Sequence, residues 1–410
     1  MPPLILLWPY QPLPASTSDK LASDDVRGSS RTNLATAKWN IKRLAASILL
    51  LTGIGCSDPQ VSALQQLGAN IKHNAQGEVE FVDLSGRVSL DAQGALSRSD
   101  SSVTDAELIH LASLARLEVL WLQKTRITDD GLAHLAQLTR LKELWLQETR
   151  LTDDGAAHLA GLTNLKELWL QKTNISDGGL AQLHALTEMK SLGLAGTRIT
   201  DAGLEHLASM NKLIKLELNS TSISGEGLAH LRNLNGLETL LLHNTKLSDS
   251  GMVHLAKLAS LRKLELNSTR ISSAGLVHLK TLTRLEALNL GDTNLTDVGL
   301  EHLAQMDQLG TLFLSKTQIS DLGLQHLSAL PKLFWLFLSN TRITDDGLVH
   351  LQGMANLKFL HLNNTDISDA GLKHLAEARK LLELRVSGTR VSGSGMARLK
   401  QALPRCKIYR

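Results

Sequence analysis

The chain holds only two cysteines in 410 residues, Cys56 and Cys406. That excludes a disulfide framework and any paired-cysteine motif, so the fold must be held by its apolar core. Aromatic residues are scarce at 3%, and their positions therefore carry more information than usual. Charge is nearly balanced. Six Lys/Arg and three Asp precede residue 56, which leaves 37 basic and 37 acidic residues of the chain's 43 and 40. Nucleic-acid binding would need a clustered positive face, and this balance gives no support for one. No Gly-rich phosphate loop follows a strand pattern, and no nucleophile elbow occurs. Ser, His and Asp are plentiful only because a repeat supplies them, so chance triads carry no weight. The sequence points to a non-enzyme with no cofactor and no metal.

What the chain has in abundance is one phrase. Twelve units of 24 residues run without a gap over 117–404, the first being Leu117–Arg140. A fixed period in this range marks a solenoid. In that first unit Leu120 and Leu122 alternate as a short strand with one buried face. Thr128 is placed as a helix N-cap, with Asp129 in the first turn where negative charge is favoured. Leu132, Leu135 and Leu138 then line one face of a short helix. No unit can bury that face alone, and stacking makes the core continuous. Thr recurs at the place of Thr125 and Gly at the place of Gly131 in all twelve units. Stacked Thr hydroxyls are expected to satisfy backbone groups of neighbouring turns. Gly in a helical turn costs about 1 kcal/mol relative to Ala, so a Cβ there is expected to strike the next unit.

The pattern L-x-x-L-x-L-x-x-T-x-[IL]-[ST]-D-x-G-L-x-x-L resembles a leucine-rich repeat of the bacterial Thr-containing type. It is also similar to the repeats of eukaryotic F-box substrate receptors. Many members of the family carry Asn where this chain has Thr125. The resemblance implies an α/β horseshoe: a parallel β-sheet on the concave side, short helices on the convex side, a binding role and no particular reaction.

The ends read differently. Residues 1–55 form a leader region: Lys38, Lys42 and Arg43 precede the apolar run Leu44–Gly55, too short for the ~20 residues a membrane span needs. A basic flank before a short apolar core is the layout of a secretory leader. Gly53-Ile54-Gly55-Cys56 resembles a bacterial lipoprotein box with Cys56 as the lipidated residue, although Gly53 stands where Leu is usual. The leader sits deep enough to suggest that Met1–Asn33 is an extension and that translation starts near Val26 or Leu34. An exported, envelope-anchored protein is expected, with a cytoplasmic substrate-recognition subunit or an adhesive surface protein as alternatives. Residues 56–78 are read as a cap helix opening at Asp58-Pro59. Residues 79–116 are read as a degenerate first repeat with about 14 extra residues in a surface loop, Arg87–Ser102. Residues 405–410 are read as a closing strand.

Side chains at the places of Val119, Trp121 and Gln123 should leave the sheet opposite the core. Trp121, Trp145 and Trp169 share one column in successive units, flanked by Gln123, Gln147 and Gln171. A second group is Phe313, Trp335, Phe337, Phe359 and His361. Trp is enriched at interface hot spots, so these eleven residues form the candidate ligand-binding face. A protein or glycan partner fits them, with the chain a monomer. Cross-strand ring stacking that merely stiffens the sheet is the competing reading. His134, His158 and their equivalents form a ladder on the helices. Helices pack 8–10 Å apart whereas Zn–N bonds are about 2.0 Å, so a structural role is expected. A column led by Arg126 and Arg150 follows the Thr and is read as a solvated rim pairing locally with Asp129 and Asp153.

Overall fold

The computed structural model describes residues 58–85, 88–90, 96–98 and 101–410. The leader motif and Cys56 lie outside the described residues. The main body is one 15-stranded sheet whose strands follow chain order. Only its first pair, Asn70–His73 with Val79–Asp83, is antiparallel. After it, each three-residue strand joins the next in parallel at a shift of one unit, so that Leu120 meets Leu144 and Leu144 meets Leu168. The return leg of every unit is a short α-helix or 3-10 helix, such as Asp153–Leu159 and Glu226–Asn233.

Alternation sets the core. Leu120, Leu122, Ile127, Leu132 and Leu135 are wholly buried, and their equivalents continue the same apolar column to Cys406. Burying one such Leu is worth about 1.5–3 kcal/mol, and the column gains with every unit stacked. Cys406 is a small apolar filler whose burial pushes its thiol up to about 11.

The invariant polar residues close each unit onto itself and onto its neighbour. Thr125 donates its hydroxyl to the Leu122 carbonyl at 2.7 Å, and Thr149 does the same to Leu146 at 2.6 Å. The Thr column therefore serves the turn it stands in, not the next unit as expected. One residue earlier the backbone is left-handed: φ is 59° at Lys124, 58° at Glu148 and 56° at Lys172. That twist aims the Lys124 N–H at the Gln147 carbonyl of the following unit, 2.9 Å away.

The link between units is an aspartate. Asp129 accepts from the Thr152 N–H at 2.8 Å and from its hydroxyl at 2.6 Å. Asp297 holds Ser320 at 2.7 and 2.6 Å, and Asp321 holds Thr344 at 2.8 and 2.6 Å. Thr128 and Thr152 make no side-chain bond to their own helices. Both stand at the N-cap position as expected, but their hydroxyls face backwards to the carboxylate of the preceding unit, whereas Ser176, Ser272 and Ser368 in the same column do accept from an N–H of their own helices. The same bonds correct the rim reading, because Asp129 and Asp153 are engaged here and not with Arg126 or Arg150. The Gly column explains itself in the same geometry. A Cβ at Gly155 would overlap Asp129 Oδ1, and one at Gly179 would come within 2.5 Å of Asp153 Oδ1. The aspartate is replaced at Gly225, Ser273 and Gly393; the Ser273 hydroxyl oxygen accepts from the Thr296 N–H at 3.0 Å, while Gly225 (φ 128°) leaves its Cα 2.5 Å from where a Gly251 Cβ would stand.

At the N-terminal end, Pro59–Gln66 is a helix capped by Asp58, whose carboxylate accepts from the Gln60 N–H, with Val61 and Leu64 buried. Gly68, at φ 85°, ends it. The strand Asn70–His73 that follows was not anticipated within 56–78. Within Arg87–Ser102 the backbone is not plain loop: Val88–Leu90 pairs antiparallel with Leu96–Arg98. At the other end Lys407–Tyr409 pairs in parallel with Glu383–Arg385 and forms the sheet's last strand.

Candidate functional site

Trp121, Trp145 and Trp169 end three successive strands and stand in exact register opposition. Each lies between two buried leucines, so the chain's own alternation turns all three rings to the sheet face away from the core. The Trp121 and Trp145 ring centroids are 4.9 Å apart at 29°, and Trp145 and Trp169 are 5.9 Å apart at 57°. Phe81 adds its edge to Trp121 at 5.1 Å. Lysine ammonium groups close both ends of this column: Lys72 over Phe81 at 4.7 Å and Lys215 over Trp169 at 4.6 Å.

The rings do not stand free in water but stack across strands, as the competing reading had it. They cover one another's faces. Trp121 and Trp145 are half-buried, and Trp169 is 9% exposed. Trp169 lies over Gly193, where a Cβ would meet its ring at 2.5 Å. Gln123 is likewise not an open flank but 7% exposed. Gln147 and Gln171 are half-buried, and Gln171 donates to Glu217 at 2.9 Å.

The second group is also assembled. Phe313 and Phe337 are parallel at 4.1 Å, and Phe337 meets His361 edge-on at 4.4 Å. Trp335 lies one column over, edge-on to Phe359 at 5.0 Å. His361 contacts Glu383 at 3.1 Å, and Arg385 donates to the same carboxylate at 2.7 Å. Burial, and then the Arg385 charge, hold the His361 pKa below its ordinary value of 6.5, against the pull of Glu383. Between the groups the face is polar and internally paired: Lys215 with Glu217 at 2.8 Å, and Glu265 with Lys263 at 3.2 Å and His243 at 3.1 Å.

Several polar atoms on this face are covered yet unmatched. The indole N–H groups of Trp121, Trp145 and Trp335 find no acceptor, and the side-chain carbonyls of Gln123, Gln147 and Gln171 find no donor. Trp169 differs, with its N–H 3.4 Å from Glu167.

Sequence reasoning missed Phe81 and Lys72, and the contact that Lys215 makes with Trp169. Phe81 was legible: Val82 and Leu84 are buried, so period two sends Phe81 outward. The lysine contacts depend on side-chain reach between strands and leave no periodic trace. No group of three or more potential metal ligands occurs among the described residues. No helix among them is long and apolar enough to cross a membrane.

The unit-by-unit register and the sequence matches agree. Residues 259–319 and 283–343 match a family model described as leucine rich repeat, and 353–376 match a second with the same description. The fold is a leucine-rich-repeat solenoid. An internalin from Listeria monocytogenes aligns with this chain at TM-score 0.65 and 25% identity, covering 86% of this chain and 94% of that one. A leucine-rich-repeat protein from Leptospira interrogans aligns at 0.57 and 20% identity over 73% and 80%. The ectodomain of a plant receptor kinase from Arabidopsis thaliana, solved in complex with Casparian strip integrity factor 2, aligns at 0.50 and 17% over 82% and 51%. The last two likenesses concern the fold alone. No curated protein matches the sequence.

Proposed function

We propose that the chain is an exported, non-catalytic scaffold that binds a protein partner across the aromatic columns of its sheet face. The observation that carries this reading is the set of unmatched polar atoms there. Buried polar groups are normally hydrogen-bonded, and exceptions call for an explanation. Here three indole donors and three amide acceptors lie on one face, among aromatic anchors. An incoming polypeptide supplies both complements, a carbonyl and an N–H at each residue.

The ring geometry favours protein over glycan. A sugar stacks on a ring face, and these faces are taken by neighbouring rings or by Lys215. What remains outward are edges, which carry the positive side of the ring quadrupole and suit carbonyl and carboxylate oxygens. The leader motif at Lys38–Cys56 supports export with Cys56 lipidated, and mass analysis of the mature N-terminus tests that step. For the site, capture by the wild-type chain is compared with capture by Trp121→Ala/Trp145→Ala/Trp169→Ala. Loss of specific protein partners is expected from the triple variant. Equal capture by both would remove the N-terminal column from the site.

A further inference from the structure

Outside the sheet face, a second feature runs along the edge where the strands turn. Each unit places the left-handed residue on one side of its buried Thr and the residue after the Thr on the other. Stacked units turn these into two ridges with a threonine floor between them. Over the first three units this groove holds a depression of about 410 Å³, lined by Lys124, Arg126, Glu148, Arg150 and Lys172 above Thr125 and Thr149. Three units span about 10 Å at the strand spacing. The groove follows the stacking direction, so a linear ligand laid along it would meet all three units.

Its charge is lopsided in a body that is otherwise balanced. Four cations face one carboxylate, and that carboxylate, Glu148, is taken by Lys172 at 3.2 Å. Lys124, Arg126 and Arg150 have no carboxylate within ion-pair distance among the described residues. The aspartates next in sequence do not compensate them, because Asp129 and Asp153 are bonded into the inter-unit ladder. Further along the same rim Arg198 meets Asn174 at 2.9 Å and Arg342 meets Gln318 at 3.3 Å. The groove around Asp292, Lys316 and Arg342, about 480 Å³, is also closer to neutral.

We propose that the groove over Lys124–Lys172 binds a linear acidic glycan, a sugar chain bearing carboxylate or sulfate groups. The donors and acceptors decide between this and an acidic peptide. Apart from Glu148, which Lys172 holds, the charged groups of the walls are cationic donors, and guanidinium pairs bidentately with oxyanions. The floor hydroxyls have spent their protons on Leu122 and Leu146 and keep acceptor lone pairs, which suit sugar hydroxyls. No apolar side chain lines the groove to receive those of a peptide, and its left-handed N–H groups, such as that of Lys124, are already bonded.

The test uses the full chain and two probes: a heparin-derived oligosaccharide and poly-glutamate of similar length. Binding is measured by calorimetry at low and at physiological salt. Lys124→Gln/Arg126→Gln/Arg150→Gln is expected to weaken oligosaccharide binding about tenfold or more at low salt, with the difference shrinking as screening rises. Arg342→Gln should leave it unchanged. Cations before residue 56 are common to all variants and cancel in the comparison. Circular dichroism confirms that each variant is folded. Equal binding by the triple variant and wild type overturns the proposal, and so does poly-glutamate binding as tightly as the oligosaccharide.

Discussion

Gly155→Ala is the sharpest probe of how the units are joined. The added Cβ would overlap Asp129 Oδ1, the atom that accepts from the Thr152 N–H at 2.8 Å. Either the carboxylate moves and both bonds to Thr152 weaken, or the helix shifts against its neighbour. Bonds to a charged group are worth about 1.5–3 kcal/mol, and overpacking costs about 1–3 kcal/mol. The gain in helix propensity from Gly to Ala returns about 1 kcal/mol. A net loss of about 2 kcal/mol follows. Gly161→Ala is the internal control, because nothing lies within 4 Å of a Cβ there; it should fall within about 0.5 kcal/mol of wild type. The decisive form is a double-mutant cycle in urea with Asp129→Ala. Asp129→Ala alone should cost about 2 kcal/mol by releasing Thr152. With the carboxylate gone, the Gly155→Ala penalty should mostly vanish, giving a coupling of about 1–2 kcal/mol. Additive single effects would mean that the glycine column answers to something other than the aspartate ladder.

Other outcomes are open to direct measurement. Lys316 sits at φ 60°, where a residue with a Cβ is strained by about 1–2 kcal/mol; Lys316→Gly should raise the urea midpoint, while Lys316→Val should lower it. Trp145 contacts a ring on either side, each worth about 0.5–1.5 kcal/mol beyond area. Trp145→Ala should therefore cost about 1–3 kcal/mol beyond the loss of buried area, with the circular dichroism spectrum retained, and a urea midpoint equal to wild type would contradict this. His361 has a folded pKa below 6.5, so the unfolded chain takes up its proton first. Its contribution is fully present above about pH 6.5 and is lost as pH falls from there toward the folded pKa. His361→Gln should flatten that part of the stability profile, and an NMR titration giving a folded value above 6.5 would refute the sign.

The repeat period alone made most of the fold legible. Leu120, Leu122 and Leu132 announce their buried faces by spacing, and an invariant Gly131 announces a close approach. What escaped was pairing across 23 residues. Asp129 reads as a helix-start charge in one dimension and becomes an inter-unit acceptor only when the stack exists. The strand Asn70–His73 and the pairing within Arg87–Ser102 belong to non-repetitive stretches, where no second copy reinforces a weak pattern. At the candidate site, column membership was readable because Trp121, Trp145 and Trp169 share one phase. Their mutual coverage was legible only as the competing reading of ring stacking, because its extent depends on ring tilt and on the space above Gly193 that lets Trp169 lie down.

The central claim is that the sheet face, and not the helical side, meets the partner. Hydroxyl-radical footprinting of the chain free and bound tests it directly, since Val298 and Leu322 are 66% and 69% exposed on the helices and serve as reporters for the other side. The account predicts protection of Trp121, Trp145, Trp335 and Phe337 on binding, with Val298 and Leu322 oxidised as before. Protection confined to Val298 and Leu322, with the indoles oxidised equally in both states, would contradict it.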